Sequence, residues 1–254
     1  MRKKICIALM AAFTVLLGVS SYFIIDHYRE AEHQEQMYDS LVQLVEDSET
    51  EPAEPIIYSE DKTILPELTE LYRQNDDLVG WICVEDTNIN YPVMQTVDNP
   101  NYYLKRGFDK EYSSYGCPYV QEDCDVLKPS DNLVIYGHHM NDGSMFNVIS
   151  DTTDQATFDS MEYVYYITRD ATYKLRPLAT KVVEDTYAKA RTPNFEGDDG
   201  LKNYLSEMLD GASAMASDAT DRAASATKVV TLVTCRSLSL SNTRAVMVLT
   251  PVEE

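Results

Sequence analysis

The sequence predicts a mainly β fold with added helices, organised as a barrel or sandwich rather than a parallel βαβ sheet. Three observations carry this. After residue 75 the chain is a succession of short, apolar, strand-length runs. Turn-forming residues punctuate them at short spacing. Helix-like stretches interrupt the strands only locally, around residues 145–158 and 198–209, and do not alternate with them one for one.

The expected strands are residues 79–84, 89–94, 132–136, 162–168, 173–183, 228–234 and 244–250. A short helix is expected over 65–74, with Leu68, Leu71 and Tyr72 on one face. The small, polar segment 211–227 reads equally as a helix or a loop.

The amino terminus is different in kind. Arg2, Lys3 and Lys4 precede an uncharged run over residues 5–25. At ~1.5 Å per residue that run reaches about 31 Å, the thickness of a bilayer's hydrocarbon. The basic cluster lies before it and the following flank is acidic, so the expected topology is single-pass with the bulk of the chain outside. A cleaved signal peptide is the competing reading, with Gly18 and Ser20 near a cleavage position. The apolar run continues through Tyr22, Phe23, Ile24 and Ile25, longer than a usual signal core. Residues 26–45 read as a helix leaving the membrane, and 46–60, with Pro52 and Pro55, as an acidic extended linker. The expected organisation is a tip and anchor over 1–25, a juxtamembrane helix and linker over 26–64, and a catalytic domain over 65–254.

Charge narrows the function. The 254 residues carry a formal net charge of −21. Binding to nucleic acid or to an anionic leaflet needs Lys and Arg, so both are disfavoured. The five cysteines form no CxxC pair and the chain has four histidines, so no structural zinc spacing exists. Cys6 lies in the anchor and Cys83 in a strand beside Trp81. A disulfide between Cys117 and Cys124 across a hairpin is sterically open and would suit an outside location.

Cys235 ends an apolar strand and is followed at once by Arg236. Cations raise the thiolate fraction of a thiol, so this position suits a nucleophile as well as it suits a core cysteine. His138 and His139 follow Gly137 at the end of another apolar strand. In extended chain the two point oppositely, so one of them faces a given site. Arg244 opens the last strand, close enough in sequence to return beside Cys235 and supply a planar cation to an oxyanion. Arg236 is the alternative arginine.

The run Asn132-Leu133-Val134-Ile135-Tyr136-Gly137-His138-His139-Met140 resembles the histidine motif of the class B sortases. Thr231-Leu232-Val233-Thr234-Cys235 resembles their cysteine motif, and Arg244 falls near their arginine. Gly80-Trp81-Ile82 and Tyr91-Pro92-Val93 are also similar to the family. The likeness covers residues 65–250. It departs at His139, where the family usually has Asn, at Val233, often Ser, and in a shorter Cys-to-Arg spacing.

The resemblance implies an eight-stranded β-barrel with N-terminal helices and a helix-bearing insert before the penultimate strand. It implies a cysteine transpeptidase with Cys235 as nucleophile, His138 as acid/base and Arg244 as oxyanion partner, and Thr234 in substrate binding. Such an enzyme cleaves a C-terminal sorting signal after Thr and transfers the acyl group to an amine of a cell-wall precursor, or to a pilin lysine, on a Gram-positive surface. No metal or organic cofactor is implied. A non-catalytic surface binding module of the same fold is the alternative from another class, against which stands the presence of all three residues. A papain-like protease would place its cysteine early, on a helix and before the histidine.

Overall fold

A computed structural model of the chain describes residues 2–48, 54, 56–59, 62–197, 199–235 and 242–252. About half of the acidic linker over 46–60 lies outside these residues, as does Arg236. The chain divides into two compact units, one up to Leu41 and one from Val42 on. The first is most of the helix α1, which runs without a break over Arg2–Asp47. The expected anchor and juxtamembrane helix are therefore one element. The helix is long and apolar enough to cross a membrane, and Phe13, Leu16, Leu17 and Phe23 are exposed along it.

The second unit opens with a small antiparallel ribbon, Ile57–Ser59 with Lys62–Thr63. Helix α2 (Pro66–Gln74) follows, with Pro at its start and Leu68 and Leu71 buried. The barrel strands are β1 (Leu78–Cys83), β2 (Asn90–Met94), β3 (Tyr119–Val120), β4 (Asn132–Tyr136), β5 (Val164–Thr168), β6 (Thr172–Glu184), β7 (Val229–Cys235) and β8 (Thr243–Pro251). Their order around the sheet is β8-β7-β4-β3-β2-β1-β5-β6, and β6 pairs back to β8 to close it. The two-residue strand Ala214–Met215 adds to β6 outside that ring. The result is an eight-stranded closed barrel with helices. Closure leaves few free edges, which suits strands that are buried almost end to end, such as β1 and β7.

Two junctions in this ring are parallel, β2 with β3 and β4 with β7; the others are antiparallel. β3 is the strand missing from the sequence expectation, because two residues are too few to show a period. The stretch expected as one helix over 145–158 is two, α3 (Asn147–Asp151) and α4 (Gln155–Ser160). Asp154 causes the break. Its carboxylate caps the second helix by accepting from the N–H groups of Ala156 and Thr157. In the insert before β7, helix α5 (Gly200–Leu209) buries Leu201, Tyr204, Leu205 and Met208. The ambiguous 211–227 stretch contains the short strand and then helix α6 (Ala219–Ser225). Trp81 is buried in β1, its indole N–H donating to Asn90 at 2.6 Å.

Candidate active site

The ends of β4 and β7 and the start of β8 converge. β7 and β4 run parallel, with Val233 opposite Tyr136. The Gly137 N–H continues that register by donating to the Val233 carbonyl at 3.1 Å. Two residues further along each strand come Cys235 and His138. β8 approaches β7 from the other side in antiparallel register, and there Cys235 and Arg244 are direct partners. The three residues thus meet at one end of the barrel through backbone pairing alone.

Alternation along β7 sets which side chains share that face. Cys235 and Val233 lie on one side and Thr234 on the other. Among the described residues the Thr234 hydroxyl is buried and has no partner, so Thr234 borders the site through its backbone. Arg236, the alternative arginine, lies outside the described residues.

Gly137 has a packing role. A Cβ built on it would meet the Phe146 ring at Cγ and lie 2.6 and 2.8 Å from Cδ2 and Cδ1. The bare backbone lets the Phe146 ring pack against the chain just before the histidine, and the Phe146 N–H donates to the His138 carbonyl at 2.8 Å. The half-buried His138 ring places Nε2 2.7 Å from the Leu104 carbonyl. Burial pushes its pKa below the ordinary value; the Leu104 carbonyl acts upward and the nearby Lys105 charge downward. His139 turns to the scaffold. Its Nε2 meets the Asn147 amide at 3.2 Å, and its Nδ1 is buried without a partner.

Cys235, His138 and Arg244 open onto a cleft of about 480 Å³. Tyr119 and Tyr136 stack along it, centroids 5.3 Å apart. The Tyr136 hydroxyl donates to Gln121 at 2.6 Å, and the Gln121 amide donates to the Arg191 carbonyl at 2.8 Å. Gln121 therefore ties the sheet to the short 3-10 turn Ala188–Arg191, which forms one wall. Burial raises the Tyr136 phenol to about 12 and raises Tyr119 as well, so both are neutral hydrogen-bonding groups. Glu122, Glu184 and Asp185 also line the cleft, with Arg191 and Arg244 as its cations.

None of the other cysteines is in a disulfide, and their environments are separate. Cys117 Sγ lies 3.5 Å from the Pro92 carbonyl, and Cys124 Sγ lies 3.6 Å from the Asn132 carbonyl. The disulfide left open by the sequence is not formed. Among the described residues no group of His, Cys, Asp or Glu is arranged to hold a metal ion. Sequence reasoning missed Leu104, Tyr136 and Gln121, because their parts in the site are made by backbone groups or by partners distant in sequence. A thiol, an imidazole and a guanidinium around one cleft can attack a carbonyl, move a proton and hold an oxyanion.

No family model matches the chain. Sortase B of Staphylococcus aureus is 23% identical over 248 residues, covering 97% of this chain and 96% of that protein. Sortase B of Listeria monocytogenes is 40% identical over 80 residues, 32% of each chain. Among solved structures, the Staphylococcus aureus sortase B–substrate complex matches with a TM-score of 0.73 at 21% identity, over 90% of this chain and 99% of that one.

Proposed function

We propose that this chain, which belongs to the class B sortases and is a cysteine transpeptidase, works through Cys235, His138 and Arg244. The reading is carried by one observation, the strand register. Cys235 pairs directly with Arg244, and the parallel pairing of β7 with β4 continues toward His138. In the reaction, the Cys235 thiolate attacks the carbonyl carbon of a Thr residue in a C-terminal sorting signal. A C–S bond forms, and the tetrahedral oxyanion is met by the Arg244 guanidinium. The C–N bond breaks as His138 gives its proton to the leaving amine. An incoming amine then attacks the thioester and gives a proton to His138, and Cys235 leaves as thiolate. Thr234 meets the substrate through its main chain.

The acceptor amine is that of a cell-wall precursor; a pilin lysine is the other amine compatible with the same chemistry. α1 anchors the enzyme, with the barrel outside the cell. Support for the anchor is the length and apolar character of the helix and the basic cluster before it. Support for a sorting-signal substrate is the likeness to a relative solved in complex with its substrate.

The test is turnover of a sorting-signal peptide library, with products identified by mass spectrometry with and without an amine acceptor. Cys235→Ala abolishes cleavage while the fold survives, and His138→Ala is nearly as severe. Cleavage by Cys235→Ala overturns the nucleophile. A severe His139→Ala beside a mild His138→Ala overturns the choice of histidine.

A further inference from the structure

An imidazole that shuttles protons needs a partner to fix which nitrogen does the shuttling. In Cys–His and Ser–His sites that partner is often a carboxylate or an amide side chain. Here the group on His138 is a main-chain oxygen, the carbonyl of Leu104, 2.7 Å from Nε2. A carbonyl can only accept. Nε2 therefore carries the hydrogen in the neutral ring as well as in the charged one.

The ring is held on that same edge. A Cβ built on Gly116 would lie 3.1 Å from His138 Cδ2, the atom next to Nε2. It would also lie 2.8 Å from the Leu104 oxygen and 2.7 Å from the Tyr103 oxygen. Gly116 has φ +63°, which glycine adopts without strain. Its lack of a side chain lets the backbone close on both the carbonyls and the ring. With Cδ2 and Nε2 enclosed, Nδ1 and Cε1 form the edge left for the cleft.

The carbonyl itself is keyed to the scaffold. Leu104 sits in the 3-10 turn Tyr102–Lys105. The buried Tyr103 next to it donates its hydroxyl to Asp77 at 2.7 Å and accepts from the Asn75 amide at 2.9 Å. Asn75 is the C-cap of α2 and is itself buried. Lys110 closes on Asp77 at 3.0 Å, and the Cys117 N–H donates to the Tyr103 carbonyl at 3.0 Å. Hydrogen bonds from the end of α2 to Tyr103, the chain from Tyr103 to Leu104, and the Leu104 carbonyl thus link the scaffold to the histidine.

We propose that the Leu104 carbonyl, keyed in place by Tyr103 and Gly116, is the orienting partner of His138, fixing Nε2 as a permanent donor and leaving Nδ1 as the nitrogen that carries the catalytic proton. Tyr103 and Gly116 are then positioning residues. The proposal rests on the assignment of His138 as acid/base. Lys105 on the turn is the charge that acts on the ring, and Cys235 and Arg244, from β7 and β8, line the same cleft. The carbonyl adds no net charge to them, so it orients the imidazole without the full stabilisation of the imidazolium that a carboxylate gives.

The test begins without turnover. In the full chain carrying Cys235→Ala, nitrogen-15 NMR of His138 above its titration midpoint is expected to show Nε2 protonated and Nδ1 bare. The opposite tautomer overturns the proposal while leaving the nucleophile and histidine assignments to their alanine variants. Tyr103→Phe and Gly116→Ala are then expected to lower kcat/KM by about ten- to a hundredfold through kcat, as a displaced catalytic group does. They should also move the His138 midpoint further down, because an acceptor is lost while burial stays. A midpoint that rises toward the ordinary value means that the ring has merely been exposed, and overturns the proposal. So do unchanged rates with an unchanged midpoint. Tyr103→Phe, together with the tautomer measurement, decides the matter even where Gly116→Ala does not fold.

Discussion

Gly137→Ala is a one-carbon change with consequences that can be worked from the structure. The new Cβ would sit 2.6 Å from Phe146 Cδ2, where ordinary contact is 3.4–4 Å. The ring would have to retreat by about 1 Å, and Phe146 is fully buried. Overpacking of this kind destabilises by about 1–3 kcal/mol. In a domain of this size that lowers Tm by roughly 2–12 °C. The Phe146 N–H donates to the His138 carbonyl, so a backbone shift that relieves the ring reaches the histidine. A displaced histidine is expected to lose about a hundredfold in turnover. Thermal unfolding reads the first effect, and peptide cleavage per folded molecule reads the second. Wild-type stability would refute the packing argument. Reduced stability with a wild-type rate would refute the link from Phe146 to the histidine.

The remaining predictions concern charge and access. Arg244→Ala is expected to lower kcat/KM by about 10²–10³-fold, with Arg244→Lys intermediate because it keeps the charge and loses the planar fork; steady-state cleavage measures both. Brief alkylation of the native protein, read by mass spectrometry, should label Cys235 and leave Cys117 and Cys124 untouched until unfolding. The latter two are buried, and burial holds the Cys124 thiol at about 11. For pH, burial depresses the His138 pKa in the folded state. Between that value and the ordinary ~6.5 the unfolded chain binds more protons, so stability rises with pH across this window. The contribution is fully present above ~6.5 and is lost as pH falls toward the folded value. Urea unfolding should therefore show the stability difference between wild type and His138→Gln moving against the wild type on acidification, and the opposite slope would refute the sign.

The parts of this protein legible in its sequence are those encoded locally. Apolar strands ending in Gly137-His138 and in Cys235 are visible as patterns, and so is the anchor-length run over 5–25. The pairing of those strands is not, because register between segments about ninety residues apart leaves no mark on either one. β3 was invisible at two residues. The Leu104 carbonyl has no side-chain signature, and the available hint was Gly116 before a cysteine and a proline. The face of Thr234 was readable in principle, since neighbours on a strand point oppositely.

The parallel seam between β4 and β7 explains more of the site than any one residue does. Had these strands been antiparallel, His138 and Cys235 would leave opposite ends of the pair. β4 has five residues, which at ~3.3 Å each is about 17 Å of separation. Parallel pairing brings both ends together and requires a long crossover. That crossover holds α3 to α6, β5 and β6. It is also put to use, because its turn Ala188–Arg191 supplies a wall of the cleft. The wall is pinned at the start of β4, where the Asn132 N–H donates to the Pro193 carbonyl at 2.9 Å and the Asn132 amide to Thr192 at 3.0 Å. The Asn132 side chain also accepts from Thr231 on β7 at 2.6 Å. One residue therefore locks the insert and the seam together. A slip of one position along β7 would break that bond and turn Cys235 to the face that now holds Thr234. The register that brings the thiol to Arg244 and the anchoring of the wall above it are in this sense a single constraint.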